Sequence, residues 1–234
     1  MIGTFTNAGA IAAGALLGFL LQRGIPEKVK RTVMQGMALA IMLIGIQMAL
    51  ETKNPLIVII SLVLGGVTGE LIDIEKRLNG IGEFLERRMG NRGSGIAPAF
   101  VTSSLVFCVG AMAVVGSIQE GLTGQYSTLL AKSLLDGIAS IFFASTMGIG
   151  VIFSAVPVFL YQVSLTLLAG LMKNLLSNDV IAEVSSIGGL LIVGIGMNIL
   201  GLRQIKVGNL LPAILYAGLI AWGLQYLSLP FLPH

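Results

Sequence analysis

Lys132 and Asp136 are the two residues whose chemistry and position most demand an explanation. They lie in STLLAKSLLDGIASIFFAS, a run otherwise apolar enough for lipid. Four residues apart on a helix of 3.6 residues per turn, they share one face with Ser133, Gly137 and Ser140. A charged side chain at bilayer depth costs at least ~2.5 to 3.5 kcal/mol on insertion scales, and survives by pairing or by facing protein or a watery cavity. This face must therefore point inward. Two chemistries fit it. A closed ion pair would neutralise both charges and fix helix packing. Alternatively, Asp136 would bind or exchange a cation or proton, with Lys132 as a counter-charge that leaves when the site is occupied. Lys132, one turn nearer the outer surface, could also attract an anion, so the spacing leaves the substrate open.

Glycines and amides form the second group. Gly110, Gly116 and Gly121, with Ser117 and Gln119, punctuate the segment before this helix. Ser185, Ser186, Gly188, Gly189, Gly194, Gly196, Asn198 and Gly201 punctuate a later one. Glycine spares bulk and weakens helix continuity, so these segments are expected either to pack very closely or to break and offer backbone groups to a ligand. Asn198 and Asn7 add amides that need hydrogen-bonding partners in lipid. Glu70, Asp73, Glu120, Asp179 and Glu183 stand near span ends, where carboxylates are expected to reach interfacial water, with Glu70 in GGVTGELI the strongest exception.

Other chemistry leaves no mark. There is no HExxH, GxSxG or Walker A sequence, and one cysteine, Cys108, with one terminal histidine, His234, cannot build a metal site. Cys108 reads as a packing residue. No catalytic residue, metal or cofactor is expected, and the chain is not expected to be an enzyme. The net charge of +3 comes from basic residues confined to loops, which marks orientation rather than nucleic-acid binding.

The elements that must position these residues follow from composition. Of 234 residues, 55% are hydrophobic and only 11% charged, with mean hydropathy +0.94. A soluble domain needs a shell of roughly a quarter charged residues, so this is an integral membrane protein of the all-helical, polytopic class. Eight spans are expected, near residues 3–22, 32–50, 55–74, 98–118, 126–147, 151–176, 180–201 and 210–229, in a single membrane domain. The fifty residues from Tyr126 to Leu176 would make a helix of ~75 Å against ~30 Å of hydrocarbon, so the chain must turn, best at Gly148 and Gly150. Pro157 is placed to kink the sixth span. Ile74, Leu78, Ile81, Leu85 and Met89 make one apolar stripe over about 75–89, which fits a helix lying in the membrane surface or a solvated extension of the third span. Gly14 and Gly18 form a GxxxG, extended back by Ala10, that would admit a neighbouring helix or suit a homodimer.

With eight spans and both termini outside, eleven basic residues fall on the inner side: Arg23, Lys28, Lys30, Arg31, Lys76, Arg77, Arg87, Arg88, Arg92, Arg203 and Lys206. Only Lys53 and Lys173 fall outside, as short cytoplasmic loops require. GIQMAL followed by NPLIVII matches GIGMNIL followed by NLLPAIL, pairing Gly45 with Gly194 and Met48 with Met197. Five spans apart, such copies would form an inverted repeat.

The segments FCVGAMAVVGSIQEGLTG, LLAKSLLDGIASIFFAS and FSAVPVFLYQ, with GTFTNAGAIAAGALLG and GGLLIVGIGMNILG, resemble the bacterial domain-of-unknown-function 554 family over nearly the whole chain. The resemblance implies a multi-pass membrane protein and assigns no activity or site residue. From the residues themselves, a secondary transporter of a small ion or solute in the bacterial inner membrane is expected, with Asp136 central. A passive channel and a non-transporting scaffold are the alternatives.

Overall fold

The computed structural model describes residues 1–22, 26–88, 95–108, 110–172 and 177–227; Arg23, Met89, Arg92, Lys173 and His234 lie outside the described residues. Ten α-helices account for the described secondary structure: α1 Ile2–Gln22, α2 Glu27–Ala49, α3 Pro55–Ile72, α4 Ile74–Arg88, α5 Ile96–Cys108, α6 Ala111–Thr123, α7 Ser127–Met147, α8 Ala155–Met172, α9 Asn178–Ile199 and α10 Pro212–Leu227, with 3-10 turns at Ile149–Ser154 and Val207–Leu210. Seven described helices are long and apolar enough to cross a membrane, and α5 and α6, bent by 59° at their break, are so only when taken together. The chain divides into two compact units, Met1–Ala40 with Lys76–Gly170 and Ile41–Glu75 with Leu171–His234.

In the first unit, α1 and α7 lie side by side and run parallel. Gly3 abuts Leu129, Gly14 abuts Gly137 and Ser140, and Gly18 abuts the Ile141 backbone, so the GxxxG stripe is a seam within one chain. A Cβ at Gly18 would collide with the Ile141 carbonyl, which has no room to move. Gly18→Val is expected to destabilise the protein by about 1 to 3 kcal/mol through overpacking, whereas Gly9→Ala, where a Cβ meets nothing, should leave the melting temperature in detergent unchanged.

Within the first unit, contacts with α7 show how the bent pair runs: Gly150, just past α7, packs on Ile96 and Ala99 at the start of α5, while Gly116 packs on Thr128 and Leu129 at the start of α7, so α5 and α6 together run alongside α7 from its end to its start. The break falls midway, at Gly110, whose φ of 142° is accessible to glycine and strained for other residues. Gly148, at φ 93°, ends α7, and the 3-10 turn leads into α8. Pro157 therefore sits in the first turn of α8, where its missing N–H has no helical partner to lose, and is not a mid-span kink.

In the second unit, α3 and α10 are antiparallel, Gly65 abutting Ala213 and Gly69 the Asn209 backbone. Asn54 caps α3 by accepting from the Leu56 N–H at 3.1 Å, with Pro55 in the first turn. Asp73, at φ 55°, ends α3, so α4 is a separate helix and not an extension of that span. Gly45 of α2 and Gly189 of α9 cross face to face, also antiparallel, so the two segments whose motifs match pack on one another.

Within the first unit, α4 keeps the apolar side chains Ile81 and Phe84 more than half exposed, as a helix floating on a membrane surface would. Gly82 packs on Ala97, and Glu86 accepts from the Ala97 N–H at 3.2 Å, which fastens α4 to the start of α5.

Candidate functional site

The first unit buries a set of polar side chains, among them Asn7, Lys132 and Asp136. Lys132 Nζ donates to Asp136 Oδ2 at 2.5 Å, and Asn7 Nδ2 of α1 donates to the same oxygen at 3.1 Å. The side chains of Lys132 and Asp136 keep only 7% and 11% of their surface exposed. Asp136 Oδ1 accepts no hydrogen bond among the described residues, yet it is not sealed. One oxygen is committed to an ammonium and an amide, and the other is available.

Local sequence explains the arrangement. Helical spacing puts the ammonium one turn before the carboxylate, and the glycine seam of α1 brings Asn7 close enough to reach it. Ser133 and Ser140 share the face, but each hydroxyl donates to its own helix, to Leu129 O at 2.6 Å and Gly137 O at 2.8 Å, leaving only oxygen lone pairs. Phe107 near the end of α5 lies against Phe143 of α7, ring centroids 5.7 Å apart, and Gly116 of α6 lies against Leu129, so the break at Gly110 between them falls alongside the stretch of α7 that holds Lys132 and Asp136. Gly116 spares room for Leu129 and Thr128 at the start of α7.

The other expected site residues belong to the second unit and have local roles there. Asn198 stands at the end of α9, where Nδ2 donates to Ile205 O and Oδ1 accepts from Ile205 N, both at 2.8 Å. Both ends of the amide are thus used to close the loop after α9. Helix α9 does not break: Gly189 admits α2, Gly194 lies against Val207, and Gly196 is buried in an unbroken helix. Glycine here serves packing, because a residue without Cβ does not end a helix whose neighbours supply contacts.

The carboxylates depart from expectation more sharply. Glu120 and Glu183 are 5% and 1% exposed and do not sit in interfacial water. Glu120 receives the start of α1: Gly3 N–H at 2.6 Å, Thr4 N–H at 3.3 Å, the Thr4 hydroxyl at 2.7 Å and the terminal ammonium of Met1 at 3.2 Å. In the second unit Glu183 receives the start of α3 in the same manner. Glu70 is more than half exposed and is held by Lys206 and by Asn209 Nδ2 at 2.6 Å. That carboxylate in turn raises the pKa of Lys206 above the ordinary lysine value. Glu75 joins them by accepting from Gly208 N–H at 2.6 Å while its own N–H donates to Asn209 Oδ1 at 2.7 Å.

Gln162 and Thr166 of α8 were not anticipated. Gln162 is completely buried, and neither its oxygen nor its nitrogen has a partner among the described residues. The signal was present in YQVSLTLL: an amide inside an apolar span, with a hydroxyl one turn on, obeys the rule that singled out Asn7.

Comparison with known proteins places this geometry in a family. Residues 2–222 match the model of a family described as "Protein of unknown function (DUF554)". The chain is 34% identical to the uncharacterized membrane protein YdfK of Bacillus subtilis (strain 168), covering 99% of this chain and all of that one. It is 32% identical to the uncharacterized protein YqgA of Escherichia coli (strain K12), covering 93% and 94% of the two chains. No solved structure matches it.

Proposed function

The chain is a multi-pass helical membrane protein of the DUF554 family, and from that premise we propose that it is a secondary transporter of a small ion or solute, with Asp136 as the group that exchanges an ion or proton. One observation carries this reading. A carboxylate inside a span is held beside the break of a discontinuous helix pair, with one oxygen engaged by Lys132 and Asn7 and the other unengaged. Interrupted helices of this kind supply ligand sites in many carriers, because they expose backbone groups where a continuous helix would consume them. Lys132 is the counter-charge that a bound cation replaces. No enzymatic step, cofactor or metal is part of the proposal. The distribution of basic residues supports insertion in the bacterial inner membrane with both termini outside.

The test uses proteoliposomes of the full chain, loaded with a pH-sensitive dye and exposed to sodium and potassium gradients. The wild type is expected to move protons against the imposed ion gradient, and Asp136→Asn to lose that movement. Equal proton flux in the two removes Asp136 from the site. A specific observation favours a scaffold as the second reading: Lys132 and Asp136 already neutralise one another at 2.5 Å. A closed pair of this kind would give no gradient-driven flux in either protein.

A further inference from the structure

The first unit contains more unmet hydrogen-bonding capacity than the Asp136 site uses. Asn7 Oδ1 on α1, Ser117 Oγ on α6, and Gln162 Oε1, Gln162 Nε2 and Thr166 Oγ1 on α8 are all buried without a partner among the described residues. Asn7, Ser117 and Gln162 are 0% exposed and Thr166 is 8% exposed. Leaving one such group unmet costs about 1 to 3 kcal/mol, and native proteins keep few of them.

Helical periodicity, read from the contacts of α8 with α6 and α1, puts these groups at one level. Helices α6 and α8 meet where Gly121 admits the Thr166 carbonyl. Both run opposite to α7, since α6 ends where α7 starts and α8 follows the end of α7, so α6 and α8 are parallel. One turn back from Gly121 on the same face is Ser117, and one turn back from Thr166 is Gln162, which therefore lie opposite one another. Glu120, adjacent to Gly121, holds Gly3 and Thr4, and one turn on from Thr4 along α1 comes Asn7 at the level of Ser117. Asn7 links the layer to Asp136 through its amide nitrogen.

The chemistry of the unmet atoms selects an occupant. Four of the five are oxygens, and Asp136 Oδ1 adds a fifth, which is a set of hard donors suited to an alkali cation. Divalent ions gather several carboxylates, whereas this layer offers one, and no group of three His, Cys, Asp or Glu side chains among the described residues could hold a metal. The position beside Asp136 already carries a monovalent cation, the Lys132 ammonium. We infer that Asn7, Ser117, Gln162 and Thr166, together with Asp136, form a binding site for a monovalent alkali cation, with the Lys132 ammonium as its tethered competitor. This rests on the transport reading and deepens it by naming the class of ion; it shares Asp136, Asn7 and Lys132 with that reading and adds Ser117, Gln162 and Thr166.

The test is equilibrium binding, separate from flux. The purified full chain in detergent is melted in sodium, potassium, lithium and choline chloride at equal ionic strength. At least one alkali cation is expected to raise the melting temperature above its value in choline. Gln162→Leu, which removes two unmet groups, should melt in choline at the wild-type temperature or higher and lose the cation-dependent rise. Lys132→Gln should reach the full rise at lower cation concentration. Equal wild-type melting in all four salts overturns the site, as does a full cation-dependent rise in Gln162→Leu. A rise that Gln162→Leu abolishes, with proton flux unaltered in Asp136→Asn, upholds the cation site and overturns the transport reading. Flux lost in Asp136→Asn with no cation-dependent rise in the wild type does the reverse.

Discussion

Asp136→Ala alone is expected to destabilise the protein far more than Asp136→Ala combined with Lys132→Met. The reason is where the charges sit. Removing the carboxylate strands the Lys132 ammonium at 7% exposure and takes away the acceptor of Asn7 Nδ2, a loss of about 3 to 5 kcal/mol when a buried pair is broken from one side. Removing both charges and filling the space with an apolar chain is often neutral or stabilising, by about 1 to 4 kcal/mol. The double variant should thus recover most or all of the lost stability. Unfolding of the four members of the cycle in one detergent measures the coupling directly. If single and double variants melt alike, the two charges are not energetically paired, and the geometry at 2.5 Å has been overvalued. The same proteins also separate the functional readings. A scaffold needs only the packing, so the double variant would serve it; a transporter needs the carboxylate, and the double variant would fold without carrying proton flux.

Why the sequence led to this pair and not to the rest of its surroundings is a matter of range. Lys132 and Asp136 are four residues apart, and helix geometry alone makes them neighbours. The fold class was equally legible, because a chain with 11% charged residues and repeated apolar runs has few options besides membrane helices. The turn at Gly148 followed from length, since no bilayer accommodates the uninterrupted helix. By contrast, Asn7 is 129 positions from Asp136, and only the glycine seam between α1 and α7 joins them. Gly110 and Gly194 looked alike as sequence, yet the first breaks a span and the second packs against Val207. What differs is the neighbour available to each glycine, a tertiary property. Glu120 and Glu183 were misplaced for a similar reason. An acid near a span end ordinarily turns to water, unless a helix start presents free N–H groups closer by, and which helix start lies near is not written locally.

Glu183→Ala is expected to be the most damaging single change in the second unit. Its carboxylate accepts from Lys53 N–H at 2.7 Å, Asn54 N–H at 2.9 Å and the Thr52 hydroxyl at 2.7 Å, and is itself 1% exposed. These donors stand at the amino end of α3, where backbone N–H groups have no helical partner and a negative charge is favoured by the helix dipole. Alanine would take this acceptor from the Lys53 N–H and the Thr52 hydroxyl and leave the Asn54 N–H only the Thr52 hydroxyl oxygen at 3.2 Å; because these donors are part-buried, a total loss of about 1 to 3 kcal/mol is expected. Glutamine keeps one carbonyl oxygen for the two N–H groups but turns the other oxygen into a donor facing Thr52, so Glu183→Gln should fall between alanine and wild type. Glu83, with 59% of its side chain exposed and paired only with Arg87 at 3.5 Å, is the control, and Glu83→Ala should leave the melting temperature unchanged. The local consequence can be read independently of the global one. Limited trypsin digestion should cut after Lys53 faster in Glu183→Ala than in Glu183→Gln, because the chain entering α3 is fastened by this carboxylate. If Glu183→Ala melts like Glu83→Ala and resists trypsin like wild type, the start of α3 is held by its Asn54 cap and Pro55 alone, and the buried acid is free for another role.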